Sequence, residues 1–101
     1  MNDVKERQKF VLGMCQKAGK LASGDFAVKA ALKDNTVKLL VIAADAAANT
    51  KKDLQHLARV AQVETVEILT AEAMGAAIGK ERRVSVAFLD DNFVKMLKST
   101  L

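Results

Sequence analysis

The sequence predicts an α/β protein: a three-layer α/β/α sandwich around a small mixed four-stranded sheet. Three observations predict it. Apolar residues at helical spacing alternate along the chain with short aliphatic runs, which is the pattern of helices layered on a sheet. One run, Lys38-Leu39-Leu40-Val41-Ile42-Ala43, is apolar throughout behind a single lysine, as a strand buried on both faces would be. Hydrophobic residues make up 50% of the 101 positions and are spread evenly, enough for one core and not for two, so residues 1–101 are read as one domain.

The elements follow in chain order. From Val4 to Ala18, the residues Val4, Val11, Met14, Cys15 and Ala18 recur at helical spacing, with Lys5, Glu6, Lys9, Gln16 and Lys17 toward water, and Gly19 ends the helix. Leu21-Ala22 leaves room for only a very short strand before Ser23, whose hydroxyl is placed to cap a helix through Leu32 with Asp25 in its first turn. Lys33-Asp34-Asn35-Thr36 is a polar turn into the central strand. Thr50-Lys51-Lys52-Asp53 has the form of a capping box, so the next helix is expected from about Thr50, with Leu54, Leu57, Ala58 and Ala61 turned inward. Val66 to Leu69 reads as a short strand, and Thr70 caps a small-residue helix that runs to Ile78 and stops at Gly79. Val84 to Leu89 is the last strand, and Asp90-Asp91-Asn92 opens a terminal helix in which Phe93, Val94, Met96 and Leu97 are read as core.

Composition narrows the function. The net charge of +4 and a pI near 9.4 lean mildly toward polyanionic partners. With no Trp or Tyr and four Phe, an aromatic platform for stacking bases is not expected. Cys15 is the sole cysteine and sits in an apolar neighbourhood, which excludes an internal disulfide and suits a reducing compartment. No apolar run is long enough to span a membrane and the amino end is charged, so a soluble, cytoplasmic protein without membrane contact is expected. His56 is the only histidine and is read as a surface or boundary residue; without a second histidine or cysteine nearby, neither a metal site nor a Cys-His dyad is expected, and no cofactor. Asp45 either caps the loop 46–49 that follows it or helps shape an RNA-facing surface from behind, and the structural role is the preferred reading.

Two segments stand out. Ser23-Gly24-Asp25-Phe26-Ala27-Val28-Lys29 opens a helix, and Met74-Gly75-Ala76-Ala77-Ile78-Gly79-Lys80 closes one and leads into Glu81-Arg82-Arg83. A helix amino end exposes unpaired N–H groups, and Ser23-Gly24 lets a phosphate approach it closely. Lys20 and Lys29 are expected to flank that end, while Gly79 permits a tight exit and Lys80, Arg82 and Arg83 supply cations, the arginines with a fork suited to phosphate. No basic helix of the kind that reads duplex DNA is evident, so irregular RNA is the better match.

In the order of three segments the chain resembles the kink-turn-binding ribosomal protein superfamily, and within it the bacterial YlxQ-like branch: Ser23 to Lys29, Leu39 to Asp45, and Gly75 to Lys80. The similarity runs from about Phe10 to Leu89, and Ile78 to Val84 matches that branch's Ile-Gly-Lys-Glu-x-Arg-Val stretch. The resemblance implies a non-enzymatic RNA-binding protein whose RNA, a sharply bent helix with tandem sheared G·A pairs, lies against the amino end of the second helix and the loop before the last strand. It implies that Asp25 stands where an asparagine reads a guanine edge, Ser23 where a small residue stands, and Lys29 where a lysine contacts the bases or phosphate. At Phe26 the chain departs from the pattern, because many members carry a glutamate there. The expected RNA-binding residues are therefore Lys20, Ser23, Gly24, Asp25, Lys29, Gly79, Lys80, Arg82 and Arg83, with structured RNA, ribosomal or otherwise, as partner.

Two other readings stand beside it. One is a protein-interaction module or homodimer that uses the alanine-rich segment Ala71 to Ile78; a contiguous exposed apolar patch would favour it. The other is a small enzyme holding a phosphorylated ligand at Gly24, which a discrete cleft lined by ionisable groups would favour.

Overall fold

The computed structural model describes residues 3–101. Its elements are α1 (Val4–Lys17), β1 (Leu21–Ser23), α2 (Asp25–Lys33), β2 (Leu39–Ile42), α3 (Ala48–Val60), β3 (Thr65–Glu67), α4 (Ala71–Ala77), β4 (Ser85–Phe88) and α5 (Asp91–Lys98). The strands form a mixed sheet in the order β1-β4-β2-β3. β4 runs antiparallel to both of its neighbours, with Ala87 opposite Ala22 on one side and Leu40 on the other, while β2 and β3 are parallel with Val41 opposite Val66. Helices α1, α4 and α5 pack together on one face and α2 and α3 on the other, giving the expected α/β/α layering.

The sequence accounts for the middle of the sheet. Every residue of β2 and β4 is buried, which the continuous apolar runs require of central strands covered on both faces. The side strands β1 and β3 are three residues each and half-buried. Phe88, Leu12, Leu39, Leu40, Ile42 and Leu54 are the largest side chains fully sealed inside.

Helix boundaries follow local chemistry, with corrections. Thr70 caps α4 by accepting from the Ala73 N–H at 3.1 Å, and Asp90 caps α5 by accepting from the Asn92 N–H at 2.7 Å. Helix α3 begins at Ala48, with Ala47 in the cap position and no capping side chain, so Thr50-Lys51-Lys52-Asp53 lies inside the helix and is not its start. Strand β3 ends at Glu67, because Leu69 takes a left-handed turn (φ 62°) that swings the chain into α4. In α1 the inward residues are Gln8, Val11, Leu12 and Cys15. Val4, Met14 and Ala18 face outward, the apolar stripe being narrower than their spacing implied. Met96 likewise sits at the surface of α5, whereas Val94 and Leu97 are buried and Phe93 packs partly against the core. His56 is exposed on α3.

A polar tie closes the molecule. The buried Gln8 amide donates to the Thr100 hydroxyl at 3.3 Å, and that hydroxyl donates to the Leu97 carbonyl at 2.6 Å, fastening the end of α5 to α1.

Cys15 donates its thiol to the Lys20 carbonyl at 3.0 Å, inside the core. Burial, reinforced by the negative charge of Asp90, pushes this thiol from 9.0 up to about 12. An acid that is harder to ionise when folded than when unfolded adds stability below pH 9.0, and that stability drains away as pH rises toward about 12. The unfolding free energy of the native chain is expected to fall more steeply than that of Cys15→Ala when denaturant titrations are run from about pH 8 to about pH 11.

Candidate nucleic-acid interface

The antiparallel pairing of β1 with β4 sets Ser23 opposite Val86, and the Gly24 N–H extends the ladder by donating to the Ser85 carbonyl at 3.3 Å. Helix α2 therefore emerges beside the start of β4, where the loop from Gly79 arrives. The two glycine-bearing segments, far apart in sequence, meet at this corner. A Cβ built on Gly24 would lie 3.7 Å from the Arg83 Nε.

Gly24 occupies the cap position of α2 with φ 90°, a conformation that side-chain-bearing residues rarely adopt. Ser23 is the last residue of β1 and does not cap the helix, contrary to the expectation from sequence; α2 has no side-chain cap. Its first turn is left with N–H groups facing outward and Asp25 among them.

The opposite wall is held from below. Asp45 does not cap the loop after it; its Oδ1 accepts from the Ala71 N–H at 2.8 Å, anchoring the start of α4 to the exit of β2. At the other end of α4, Gly79 turns back with φ 70°, the Lys80 N–H donates to the Gly75 carbonyl at 2.9 Å, and the Arg83 N–H donates to the Ala71 carbonyl at 3.0 Å. The loop thus lies along α4, and Gly75 makes this possible: a Cβ there would stand 1.9 Å from the Glu81 carbonyl oxygen. The role of Gly75 is close packing. Arg83 is half-buried, its Nη1 donating to the carbonyls of Glu81 (3.3 Å) and Arg82 (3.2 Å), which holds the guanidinium against its own loop beside Gly24. Lys80 and Arg82 are exposed, and neither has an ion-pair partner among the described residues.

Lys29 has a different setting. Its ammonium lies 3.3 Å from the carboxylates of both Asp25 and Asp53, the latter on α3. Hydrogen bonds to Asp53 and to Asp25 raise its pKa and keep it charged. Two carboxylates thus share one ammonium, and Lys29 is spoken for within the protein. Asp53 was not foreseen as part of it, since its nearness to Lys29 depends on how α2 packs against α3 and no local spacing encodes that. Lys20 lies at the far end of β1, about 13 Å of strand from Gly24, where its carbonyl accepts from the Leu89 N–H at 2.9 Å. The structure brings Ser23, Gly24, Asp25, Lys29 and Arg83 together, leads Gly79, Lys80 and Arg82 in on the adjoining loop, and sets Lys20 apart. The residue that sequence reasoning undervalued is Phe26, whose ring is 87% exposed next to Asp25.

Two other surfaces bear on the alternatives. Most of the apolar face of α4 is spent inside the protein, with Ala71, Met74 and Gly75 buried and Glu72 and Ala76 facing outward, while at its far end Ala77 and Ile78 border a small groove with the exposed Phe10 and Met14 of α1. An open groove of about 790 Å³ lies between the start of α1 and the ends of β2 and β3, lined by Asp3, Lys5, Lys9, Asp45, Glu67 and Thr70 among others. Its polar groups already have tasks, Lys9 pairing with Glu6, Asp45 with α4 and Thr70 with Ala73, and no nucleophile-base pair forms among its lining residues.

A fold with this sheet order and this corner defines a class. Residues 6–97 match the ribosomal protein L7Ae/L30e/S12e/Gadd45 family, and the chain belongs to that family. It is 32% identical over 91 residues to the RNA-binding protein YlxQ of Bacillus subtilis (strain 168), covering 90% of this chain and 91% of that protein. A second protein of the same name, from Enterococcus faecium, is 29% identical over 91 residues, 90% of this chain and 87% of that one. Among solved structures, a protein of unknown function from Bacillus halodurans C superposes with a TM-score of 0.84 at 28% identity, over 92% of this chain and 94% of that one. The fold is also that of the Giardia lamblia 15.5kD RNA binding protein, with a TM-score of 0.76 at 15% identity over 99% and 87% of the two chains.

Gly75→Ala puts a methyl group into the Glu81 backbone, and the overpacking penalty of about 1–3 kcal/mol exceeds the gain in helix propensity of about 1 kcal/mol. A drop in Tm of several degrees is expected by calorimetry.

Proposed function

We propose that this protein binds structured RNA of the kink-turn type, ribosomal or otherwise, as a non-enzymatic cytoplasmic factor acting as a single RNA-binding domain. The observation that carries the reading is the meeting of Gly24 and Arg83: an uncapped helix start and a basic loop form one corner, although the sequence separates them widely. Family membership and the RNA-binding function of the YlxQ relatives support it.

The corner divides its work by charge. Lys80, Arg82 and Arg83 form the phosphate-binding side, with Gly79 giving the loop its turn. On the α2 side Asp25 and Asp53 bracket Lys29 and neutralise it, which suits the polar edges of bases, whose amino and imino groups donate to carboxylates. Ser23 and Gly24 shape the floor between them. Lys20, at the other end of β1, touches RNA only where the RNA continues along the sheet edge.

With about three phosphate contacts, log affinity should fall against log salt with a slope of roughly −2 to −3. The test is a binding titration against a kink-turn RNA and a matched straight duplex at two salt concentrations. A preference for the bent RNA that persists at the higher salt supports the reading; equal, salt-sensitive binding of both overturns it. In the same assay Lys80→Ala with Arg82→Ala is expected to weaken both RNAs alike and to flatten the slope by about 1–2, with the fold intact because both side chains are exposed.

A further inference from the structure

Phe26 has no structural reason to be aromatic. The inward face of α2 is filled by Val28, Ala31 and Leu32, and Phe26 lies about 200° around the helix from Val28, directed away from the core. At 87% exposed it leaves open more of its surface than Phe10, at 62%, or Met14, at 40%. Its outward neighbours one and two turns on are Lys29, Ala30 and Lys33, so no contiguous apolar patch surrounds it. Phe26 instead follows Asp25 in the first turn of α2, with Ala30 and the two lysines on the turns beyond it.

We propose that Phe26 is a stacking platform for one unpaired nucleobase of the bound RNA. The inference rests on the RNA-binding reading above and adds to it the kind of RNA taken: one that presents a base out of its helical stack beside the backbone held by the basic loop. A nucleobase has the two properties this surface answers. Its flat face covers a single ring without needing wider apolar surroundings, and its edge carries N–H groups that a carboxylate accepts. A protein partner would need a broader apolar area than one ring supplies. The charges sort the same way. Phosphates are directed to Lys80, Arg82 and Arg83, whereas Lys29, one turn along from the ring, is already paired with Asp25 and Asp53 and offers backbone little free charge, which leaves the ring to a neutral base. Stacking at this position also gives the α2 side a contact that salt does not screen, so it discriminates between RNA shapes where the basic loop only attracts.

The test compares the native chain, Phe26→Leu and Phe26→Trp on two probes: an RNA hairpin with a short bulge carrying 2-aminopurine, and the same hairpin without the bulge. Leu keeps the apolar bulk and removes the π-face, and an unchanged Tm verifies its fold. Phe26→Leu is expected to lose about tenfold in affinity for the bulged RNA, with little change for the unbulged one and the same salt slope. Phe26→Trp is expected to retain affinity, and because the native chain has no Trp, quenching of its fluorescence by the bulged RNA reports the stack directly. If Phe26→Leu binds the bulged RNA as tightly as the native chain does, or weakens both RNAs equally, stacking is overturned while the RNA-binding reading survives. If the native chain binds the bulged RNA no better than the unbulged one, stacking is overturned, and the kink-turn titration above decides the RNA-binding reading separately.

Discussion

The site depends on one constraint, the position of β4 between two antiparallel neighbours. Because β4 pairs with β1 on one side and β2 on the other, its first residue fixes both where α2 begins and where the basic loop must end. The Gly24 N–H to Ser85 carbonyl bond is the last rung of that ladder, and it joins the start of α2 to the end of the basic loop. The sheet is rigid there for an ordinary reason: the whole of β2 and β4 is buried, and opening either strand would expose the largest apolar residues of the core.

Around that fixed point the protein places flexible charge on a stiff support. Asp45 holds the start of α4, Gly75 lets the loop lie flat on the helix, and Arg83 is tethered through the loop's own carbonyls, so three unrelated contacts restrict a segment that is otherwise short and exposed. A loop held in this way loses less conformational freedom when it engages a polyanion than a free one would. Lys80 and Arg82 are exposed, whereas Arg83 is held against its own loop beside Gly24.

The sequence revealed the layering, the central strand, two helix caps and the pair of glycine-bearing segments, because each depends on local chemistry: apolar periodicity, a hydroxyl or carboxylate one turn ahead of a helix, a glycine after one. It misled where local signals compete with tertiary placement. Ser23 and Thr50 both look like caps, yet one is held in a strand by β4 and the other lies within a helix that starts earlier. Asp45 was legible as structural but not in its partner, since Ala71 reaches it only after β3 has been laid down beside β2. Lys29 stands at i,i+4 from Asp25, a pair that a helical projection shows, but its second partner exists only because α3 brings Asp53 across. The exposure of Phe26 was hidden for a related reason, as an aromatic residue near a helix start is equally compatible with a core position.

The brevity of the side strands has a consequence for how the protein behaves in company. Sheets end in unpaired backbone groups, and a long flat edge recruits the edge of another molecule. Here both edges are three residues long and are cut off at once, β1 by the left-handed Gly24 and β3 by the left-handed turn at Leu69. A neighbouring copy seeking to continue the sheet would find only a few hydrogen bonds before the backbone turned away. The protein is thereby protected from strand-mediated self-association at high concentration.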